Sequence, residues 1–519
     1  MTYHHLSVLI HRQAEKYGDK VALKYRDYET SQWIPITWNK FSRTVRQAAN
    51  ALVALGAEEQ RNIRYLLTNK PECLFTDFAA FANRLVTIPL YATSSSAQAQ
   101  YIINDAQIRF LFVGEQFQYD AAFSAFGFCH SLEKLIIFDR SVVRDPRDKT
   151  SIYYDEFLAL GEGLPHNAVV EERTARASDS DLANILYTSG TTGEPKGVML
   201  HHFNYREAIR IHDIRLTAMT DKDVSMNFLP LTHVFEKAWT YFCLHRGVQV
   251  CVNLRPADIQ TTIKEIRPTL MCSVPRFWEK VYAGVQEKIA QESGLRKAMM
   301  LDALKVGKMH NIDYLRAGKT PPLMLHLKYK FYEKTIYALL KKTIGIENGN
   351  FFPTAGAAVS DEICEFVHSV GINMVVGYGL TESTATVSCF LDKGYEIGSV
   401  GTVMPDLEGE DNMRYSGLLC QTHAQDATNI PTRRTGAERK KGRGRPSTRP
   451  RARLHPGEPA QAGSPGAGHS VALRDAEAPT GSYRSSAASQ LGSSAIAMST
   501  AFLDRQRDQA ECDGKHRHA

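Results

Sequence analysis

The sequence predicts an α/β protein with two related open β-sheets, mostly parallel, flanked by helices and followed by a disordered tail. Helical stretches alternate with short apolar runs of the kind that form buried parallel strands. The chain of 519 residues is long enough for two or three domains with a sizeable core. After residue 406 the periodicity ends and Arg, Pro, Gly, Ser and Ala take over. Such a composition buries too little apolar surface to order a chain.

The alternating elements fall into two series. A helix is predicted through Phe41, Val45, Ala49, Leu52 and Leu55, which keep helical spacing. The predicted strands are residues 85–90, 110–113 and 135–138 in the first series, and 184–188, 248–254, 270–274 and 374–377 in the second. Between about 276 and 345 the pattern is long, charged and helical, which indicates a helical insertion in the second unit. We therefore predict one body, residues 1–406, and a basic low-complexity tail, residues 407–519.

Composition and charge exclude several classes of protein. Hydrophobic residues at 43% and charged residues at 23% are ordinary for a soluble globular chain. No run approaches the roughly 18 apolar residues of a membrane helix, and the N-terminus lacks the features of a signal peptide. Nine cysteines at irregular spacings predict free thiols in a reducing cytoplasm. The tail holds 17 Lys+Arg and 12 Asp+Glu, so most of the net charge of +6 lies there and the body is close to neutral.

The strongest local signal is the segment 187–197, Tyr-Thr-Ser-Gly-Thr-Thr-Gly-Glu-Pro-Lys-Gly, which follows an apolar strand. Its glycines allow a tight turn that brings backbone N–H groups close to phosphate oxygens, and the hydroxyls add donors. The segment is not a Walker-type loop, because Gly197 rather than Ser or Thr follows Lys196. A Ser/Thr/Gly-rich surface loop is the alternative to a phosphate site. The candidate phosphate ligands are Thr188, Ser189, Gly190, Thr191, Thr192, Gly193 and Lys196.

This segment resembles the signature of the adenylate-forming superfamily, which includes acyl-CoA synthetases, luciferases and peptide-synthetase adenylation domains. Further resemblances follow in the order of that family and extend over roughly residues 1–410. Leu229–His233 is similar to the motif that lines the acyl pocket, and Thr354–Ala358 to the adenine-binding loop. Gly377–Glu382 is similar to the motif that closes over adenine and metal, and Gly398–Gly401 to the start of the next motif.

The resemblance implies an enzyme in which a carboxylate attacks the α-phosphorus of ATP, releases pyrophosphate and forms an acyl-adenylate. A thiol, usually that of coenzyme A, then displaces AMP. Both steps concentrate negative charge, so positioned donors and a metal ion would carry the catalysis. The implied cofactors are ATP and Mg²⁺, with coenzyme A as co-substrate.

The resemblance also implies roles for individual residues. Glu382 and the Thr188 hydroxyl would hold Mg²⁺, which prefers hard oxygen ligands, and Tyr378 would stack on adenine. His233 would lie near the acyl and phosphate groups. The implied catalytic set is Thr188, Lys196, Glu382 and His233, and the further nucleotide contacts are Gly356, Ala357, Ala358, Gly379 and Thr381. The alternatives are a solvated surface carboxylate for Glu382, and a core side chain for Tyr378 and for His233.

Two segments favour a long-chain fatty acid as substrate. Val274–Val281, with the helical insertion after it, and Leu90–Ser95 are similar to the long-chain synthetases rather than to the acetate or aryl enzymes. Trp239 would wall the acyl pocket. The expected partners are a fatty acid, ATP and coenzyme A, with no nucleic acid. The expected location is cytoplasmic, with a peripheral contact at the inner membrane.

The tail departs from the family pattern. Beyond Gly401 the family continues with the rest of a small barrel, an aspartate for the ribose hydroxyls, a hinge and a mobile lid with a catalytic lysine. None of these is recognisable in the sequence after Asp406. One explanation is nucleic-acid binding, because Arg443–Pro446 matches the core of a hook for the minor groove of DNA. The other explanation is a shifted reading frame.

Three places in the chain favour the shifted frame. Residues 413–416 can be encoded as ATG AGA TAC TCG, and the same bases read from the third give Glu-Ile-Leu, the strand that the family has here. The bases that encode residues 417–420 can likewise be read as Gly-Tyr-Tyr in a shifted frame. Residues 64–68 can hide Gly-Ile-Phe-Ser, which suits a buried strand better than the Arg-Tyr-Leu-Leu-Thr that is written. The chain is then either a ligase with an altered tail or a nucleotide-binding remnant without turnover.

We expect the chain as written not to turn over acyl-CoA at a useful rate, because no tail lysine has a fold to position it as the lid lysine. Loss of one preorganised charge contact costs about 10²–10³ in rate, and loss of a lid admits water to the site. The measurement compares residues 1–519 with a frame-corrected chain in the presence of palmitate, ATP, Mg²⁺ and coenzyme A. Equal turnover by the two chains would contradict the expectation.

Overall fold

The computed structural model describes residues 4–66, 68–162, 167–189, 195–391 and 394–407. The predicted tail, apart from Leu407, lies outside these ranges, so its expected disorder stays a prediction. Within the described ranges, no helix is both long and apolar enough to cross a bilayer.

The strands are numbered in chain order. They are β1 Val21–Arg26, β2 Trp33–Thr37, β3 Asn62–Leu66, β4 Val86–Leu90, β5 Phe110–Val113, β6 Lys134–Ile137, β7 Ile152–Tyr153, β8 Leu182–Ser189, β9 Pro195–His201, β10 Val224–Asn227, β11 Gln249–Val252, β12 Leu270–Met271, β13 Phe352–Thr354, β14 Met374–Tyr378, β15 Ser388–Cys389 and β16 Thr402–Val403.

The α-helices follow the same numbering. They are α1 Leu9–Tyr17, α2 Trp38–Ala54, α3 Pro71–Ala82, α4 Ser96–Asp105, α5 Gln116–Phe126, α6 Tyr154–Ala159, α7 Asn167–Ala175, α8 His202–Arg215, α9 Val234–Arg246, α10 Ile259–Ile266, α11 Pro275–Gln291, α12 Gly294–Gly307, α13 Leu323–Tyr332, α14 Ala338–Ile344 and α15 Asp361–Ser369. Short 3₁₀ turns span Leu6–Val8 and Pro256–Asp258, and π-helical turns span Lys308–Arg316 and Glu333–Tyr337.

The strands form two open sheets. The first has the order β7-β6-β5-β3-β4-β8-β9, in which only β9 is antiparallel to its neighbour. The second begins with β2-β1-β11-β10-β12 and continues with β13-β14-β15-β16. Two isolated parallel bridges, Leu270 to Phe351 and Ser273 to Thr354, connect its halves. In this sheet β2, β15 and β16 pair antiparallel and the other strands run parallel. The prediction of two open, mostly parallel sheets is confirmed.

One strand lies in a different sheet from the one predicted. The sequence pattern assigns residues 184–188 to the second series, but β8 lies in the first sheet, where Thr87 of β4 is opposite Asn184. The Asn184 amide also donates to the Thr87 hydroxyl inside the core. Membership of a sheet depends on pairing between strands that are far apart in sequence, and local periodicity carries no information about that pairing.

Local chemistry explains where several helices begin. Ser95 and Gln98 form a reciprocal capping box at the start of α4, and the Ser360 hydroxyl accepts from Ile363 N at the start of α15. Pro71 and Pro275 occupy the first turns of α3 and α11, where a missing N–H costs nothing.

The seven cysteines in the described ranges are all buried free thiols, Cys73, Cys129, Cys243, Cys251, Cys272, Cys364 and Cys389.

A buried ion pair joins the helices of the two sheets. Lys237 on α9 lies 2.7 Å from Asp77 Oδ2 on α3, and the side chains are 0% and 1% exposed. Tyr241 donates to the same carboxylate oxygen at 2.7 Å, and the Tyr65 hydroxyl accepts from the Lys237 ammonium at 2.6 Å. Burial, and then the Asp77 carboxylate, raise the pKa of both tyrosines well above its usual value, so they stay protonated. Each of the two desolvated charges is therefore stable only while its counter-charge and the tyrosine hydrogen bonds are present.

We expect Lys237→Met to lower the free energy of unfolding by about 3–5 kcal/mol, because it leaves the Asp77 carboxylate buried without its counter-charge. Urea denaturation measures the change. The control is Arg140→Met, which removes an exposed ion pair to Asp155 and should change stability by less than about 1 kcal/mol. Similar small effects for both variants would show that the buried pair does not hold the sheets together.

Burial of the Arg64 side chain in the first sheet is costly in free energy. Arg64 lies in the central strand β3 with 0% exposure, and its three guanidinium nitrogens have no hydrogen-bond partner among the described residues. The guanidinium carbon lies 5.7 Å from the centre of the Tyr187 ring, and the charge of Asp105 also favours the charged form. Burial holds the pKa of the guanidinium well below its usual range. A buried charge without hydrogen-bond partners is among the costliest features a core can contain. The frame change proposed for residues 64–68 stays a prediction.

We expect Arg64→Met to raise the free energy of unfolding by about 2 kcal/mol or more, because it removes this charge and keeps much of the side-chain volume. Thermal or urea denaturation provides the measurement. Arg61→Met is the matched control, since Arg61 is largely exposed and, among the described residues, forms its one salt bridge with Glu58. A loss of stability in the Arg64 variant would mean that the guanidinium is satisfied in the folded protein.

Candidate functional site

The predicted phosphate loop is the turn of a hairpin between β8 and β9. Thr188 lies directly opposite Lys196 in the antiparallel ladder, and Ser189 lies opposite Pro195. The Cβ atoms of directly opposed residues are only about 4.5–5.5 Å apart, and their side chains lie on the same face of the hairpin. Thr188 and Lys196 can therefore contact the same ligand. Lys196 is exposed and makes no ion pair with a described residue. The remaining predicted ligands, residues 190–193, lie outside the described ranges.

Tyr187 anchors the base of this hairpin. Its ring is 9% exposed and its hydroxyl donates to the Asp105 carboxylate at the end of α4. Burial, and then this carboxylate, raise the pKa of Tyr187 above its usual value. Opposite it in the ladder is Gly197, where an added Cβ would lie 2.7 Å from a methyl group of Ile185. Only glycine lets β9 lie this close to β8, so the loop leaves the sheet at a defined place.

The predicted adenine loop follows β13. Trp278 on α11 fixes its first residue, because the indole N–H donates to the Ser273 and Thr354 hydroxyls at 2.9 and 3.0 Å. The two hydroxyls are themselves 2.7 Å apart. Gly356 has φ +93°, a backbone conformation that favours glycine. Beyond Thr354 the chain comes to the surface, where Gly356 and Ala358 are exposed and Ala357 is half-buried.

The predicted adenine and metal motif follows β14. Tyr378 ends the strand half-buried, and an added Cβ at Gly379 would lie 1.2 Å from Ala385 O. Any side chain at Gly379 would therefore push the following loop away. That loop turns back through hydrogen bonds to Leu380 O and leaves Glu382 exposed at its tip, beside the half-buried Thr381. Glu382 makes no ion pair with a described residue, so its carboxylate is available to a cation.

His233 lies at the start of α9, after the loop that follows β10. Its Nδ1 accepts from Phe235 N at 3.2 Å and caps the helix. Burial lowers the pKa of the imidazole, so His233 is neutral at physiological pH. The residue combines a structural role as a cap with a position beside the predicted site.

Three of these segments follow strands at one edge of the second sheet. Strands β10, β12, β13 and β14 are parallel neighbours, so their carboxyl ends lie on the same side. His233 follows β10, the adenine loop follows β13 and Glu382 follows β14. Open α/β sheets bind their ligands outside the carboxyl ends of the strands, which is where three of the predicted segments lie.

Asn69 connects this edge to the first sheet. It follows the carboxyl end of β3, and its amide donates to Asn227 Oδ1 and Leu229 O at 2.8 and 2.7 Å. Its carbonyl oxygen accepts from Leu231 N at 2.9 Å. Strand β8, which leads into the phosphate loop, lies two parallel strands from β3, a distance of about 10 Å. The carboxyl edges of both sheets therefore border the same region.

Sequence reasoning missed the residues that support this arrangement. Asn69 follows a strand that ends in Leu66, and its type gives no signal beyond a turn preference. A signal for Lys237 does exist, because Glu236 and Lys237 are consecutive charges inside a helix that is otherwise largely apolar. Both are fully buried, and burial raises the pKa of Glu236 well above its usual value. Charges in such a place predict a buried polar network.

An apolar cavity lies beside these loops, between α8 and α9. Its walls include Tyr205, Ile209, Phe235, Ala238, Trp239 and Phe242. Ala385 and Thr386, a few residues after Glu382, close one side. His212 Nε2 lies 3.0 Å from the Thr386 hydroxyl, and burial lowers the pKa of this histidine. A neutral, largely apolar space thus adjoins the loop that carries the predicted metal ligand.

Comparison with known proteins agrees with this geometry. Long chain acyl-CoA synthetase 4 of Arabidopsis thaliana is 26% identical over 429 residues, which cover 78% of this chain and 61% of that protein. The human long-chain-fatty-acid–CoA ligase ACSBG2 is 28% identical over 391 residues, 72% of this chain and 56% of that protein. The chain thus spans about six-tenths of the length of these relatives.

Solved structures share the fold. The anthranilate CoA ligase AuaEII, in complex with anthranoyl-AMP, superposes with a TM-score of 0.57 at 17% identity, covering 78% of this chain and 65% of that one. The adenylation domain of a carboxylate reductase from Mycobacterium chelonae gives a TM-score of 0.59 at 19% identity, with 78% and 60% covered. The family model for the AMP-binding enzyme matches residues 10–410. This chain belongs to the AMP-binding enzyme family.

Proposed function

We propose that this protein activates a long-chain fatty acid with ATP, forming an acyl-adenylate and then acyl-CoA with release of pyrophosphate and AMP. The observation that carries the proposal is topological: His233, the adenine loop and the loop of Glu382 follow the carboxyl ends of parallel strands of the second sheet, and the β8–β9 hairpin follows the carboxyl end of a strand of the first. The long-chain relatives support the acyl-CoA part of the proposal. The proposed nucleotide-binding unit is the body, residues 1–406.

In this proposal the hairpin binds the phosphates of ATP. Thr188 supplies a hydroxyl donor and Lys196 a positive charge from directly opposite positions of the ladder. Lys196 has no carboxylate partner among the described residues, so its charge is free to offset the negative charge that gathers at the α-phosphorus. Residues 190 and 193, which lie outside the described ranges, are glycines, and glycine is the residue type that lets backbone N–H groups approach a phosphate closely.

The donor set suits Mg²⁺. This ion keeps several waters and takes one or two carboxylates together with phosphate oxygens, and it does not need a cage of protein ligands. The exposed, unpaired Glu382 carboxylate and the Thr188 hydroxyl fit such a partial site. Within the described ranges there is no group of three or more His, Cys, Asp or Glu that would form a complete cage. Bound there, the ion would neutralise phosphate charge.

The adenine and the acyl chain would occupy the two sides of the Glu382 loop. Tyr378 and the exposed backbone of Gly356 form one side, where a flat base can lie against the loop. The apolar cavity between α8 and α9 forms the other side, with Trp239 held in place by an indole hydrogen bond to the Ser225 hydroxyl at 3.0 Å. The cavity measures only about 20 Å³, room for about one water, so an acyl chain would enter it only if these aromatic and aliphatic side chains moved apart.

We expect Mg-ATP to raise the melting temperature of the protein, since a ligand bound only to the native state stabilises it by mass action. Lys196→Ala and Glu382→Gln should each weaken ATP binding by about tenfold, which corresponds to about 1.4 kcal/mol. Thermal shift titration with Mg-ATP gives both values. Lys149→Ala, at an exposed lysine far along the chain from the hairpin, is the control and should bind as the unaltered protein does.

Release of pyrophosphate with palmitate, compared with acetate and benzoate, tests the substrate class in the same preparations. A shift with Mg-ATP that is the same in Lys196→Ala as in the unaltered protein would overturn the assignment of the hairpin. Preference for acetate or benzoate over palmitate would overturn the long-chain assignment and leave the nucleotide site intact.

A further inference from the structure

Exposed apolar side chains are concentrated in one part of the fold. Fifteen large hydrophobic side chains in the described ranges are exposed, and eight of them lie within residues 294–344, which we call the helical arm. The arm comprises α12, α13, α14 and the two π-helical turns. Soluble proteins rarely cluster exposed apolar side chains without a function, and such patches mark interaction surfaces.

Helix α13 carries the densest part of this patch. Leu323, Met324, Leu327 and Phe331 are 72%, 76%, 54% and 53% exposed, and their spacing puts them on one side of the helix. The other side is packed, because Tyr329 and Tyr332 are buried. The Tyr329 hydroxyl accepts from Asn311 Nδ2 at 3.1 Å, and Tyr332 donates to the Asp302 carboxylate on α12.

The inner contacts fix the orientation of α13, so its apolar outer side faces away from the body.

The arm is also the basic part of the body. Residues 294–344 contain 11 Lys+Arg and 3 Asp+Glu, a net charge of +8, whereas residues 1–293 and 345–406 together contain 34 and 41, a net charge of −7. Two of the three acidic residues pair within the arm, Asp302 with Lys328 at 2.8 Å and Glu333 with Lys330 at 2.7 Å. The exposed basic residues without a salt bridge to a described residue are Arg296, Lys305, Arg316, Lys319, Lys334 and Lys342.

The lysines border the apolar side of α13. Lys330 lies along one margin of the Leu323–Leu327–Phe331 stripe and Lys328 along the other, at helical spacing. Lys334 follows in the π-helical turn after α13. An apolar stripe between lysines is the pattern of a helix that lies in the plane of a membrane interface. Its hydrocarbon side chains enter the acyl region while the long lysine side chains reach the headgroups.

We propose that the helical arm docks this protein on an anionic lipid surface, with Leu323, Met324, Leu327 and Phe331 inserted at the interface. A lipid surface matches both features, since it offers hydrocarbon to the stripe and negative charge to the lysines. A protein partner matches less well, because lysine is depleted where protein surfaces meet. The inference deepens the proposed function, for a long-chain fatty acid is itself dissolved in such a surface, but docking does not require turnover.

The test uses the full chain and sedimentation with vesicles of phosphatidylcholine, either pure or with about a third of phosphatidylglycerol. We expect binding to the anionic vesicles, weakening with added salt as the charges are screened. Leu327→Glu/Phe331→Glu should reduce the bound fraction at least tenfold, and Lys334→Glu/Lys342→Glu should reduce it in the anionic vesicles. The matched control is Phe117→Glu/Phe128→Glu, at two side chains that are 54% and 65% exposed on the first unit, and it should bind as the unaltered chain does.

A second control is Arg443→Ser/Arg445→Ser in the basic tail, which should also leave binding unchanged. Binding that depends on the tail or on Phe117 and Phe128, but not on Leu327 and Phe331, would overturn the proposal. So would a change from dimer to monomer in Leu327→Glu/Phe331→Glu without any loss of vesicle binding, because the stripe would then contact a second copy of the chain. Melting temperatures and Mg-ATP shifts of all variants verify folding. Loss of those shifts with vesicle binding intact would count against the proposed function alone.

Discussion

The buried contact between Asp77 and Lys237 is the constraint on which the arrangement of the two sheets depends. Helix α3 belongs to the first sheet and is buried along almost its whole length, and α9 belongs to the second. An ion pair without water must keep its geometry, because a small separation leaves two desolvated charges with little compensation. Tyr65 and Tyr241 complete the set of hydrogen bonds and leave few ways to slide one helix along the other. Apolar packing alone would tolerate such a shift.

This fixed junction determines what the loops above it can do. The residues that support the site, such as Asn69 and Trp278, hold the beginnings of loops by hydrogen bonds of 2.7–3.0 Å. The side chains of the candidate ligands themselves, Lys196 and Glu382, are exposed and make no such hydrogen bonds to described residues. Rigid strand ends that carry exposed charged side chains suit a substrate with several negative charges. The side chains can adjust to the phosphates while the strand ends stay in place.

Much of the fold was predictable because its signals are local. The spacing of Phe41, Val45 and Ala49 predicts α2, and the apolar runs predict β4, β5 and β6 within a residue or two at each end. The membership of β8 in the first sheet was not predictable, since it rests on one pairing, Thr87 with Asn184, across nearly a hundred residues.

The candidate site likewise has features that were predictable from local sequence and features that were not. The motifs around Lys196 and Glu382 were visible as sequence, whereas the bridging role of Asn69 depends on where two backbone groups and one side-chain oxygen of a distant segment come to lie. The single arginine in the central strand has a further consequence, in the cell. Each kilocalorie lost from a marginally stable domain multiplies its unfolded fraction about fivefold, and quality-control proteases act on that fraction. A guanidinium buried inside β3 would thus lower the steady-state amount of the protein without contacting its ligands, so Arg64 would affect the abundance of this chain independently of the proposed role of Lys196 in its chemistry.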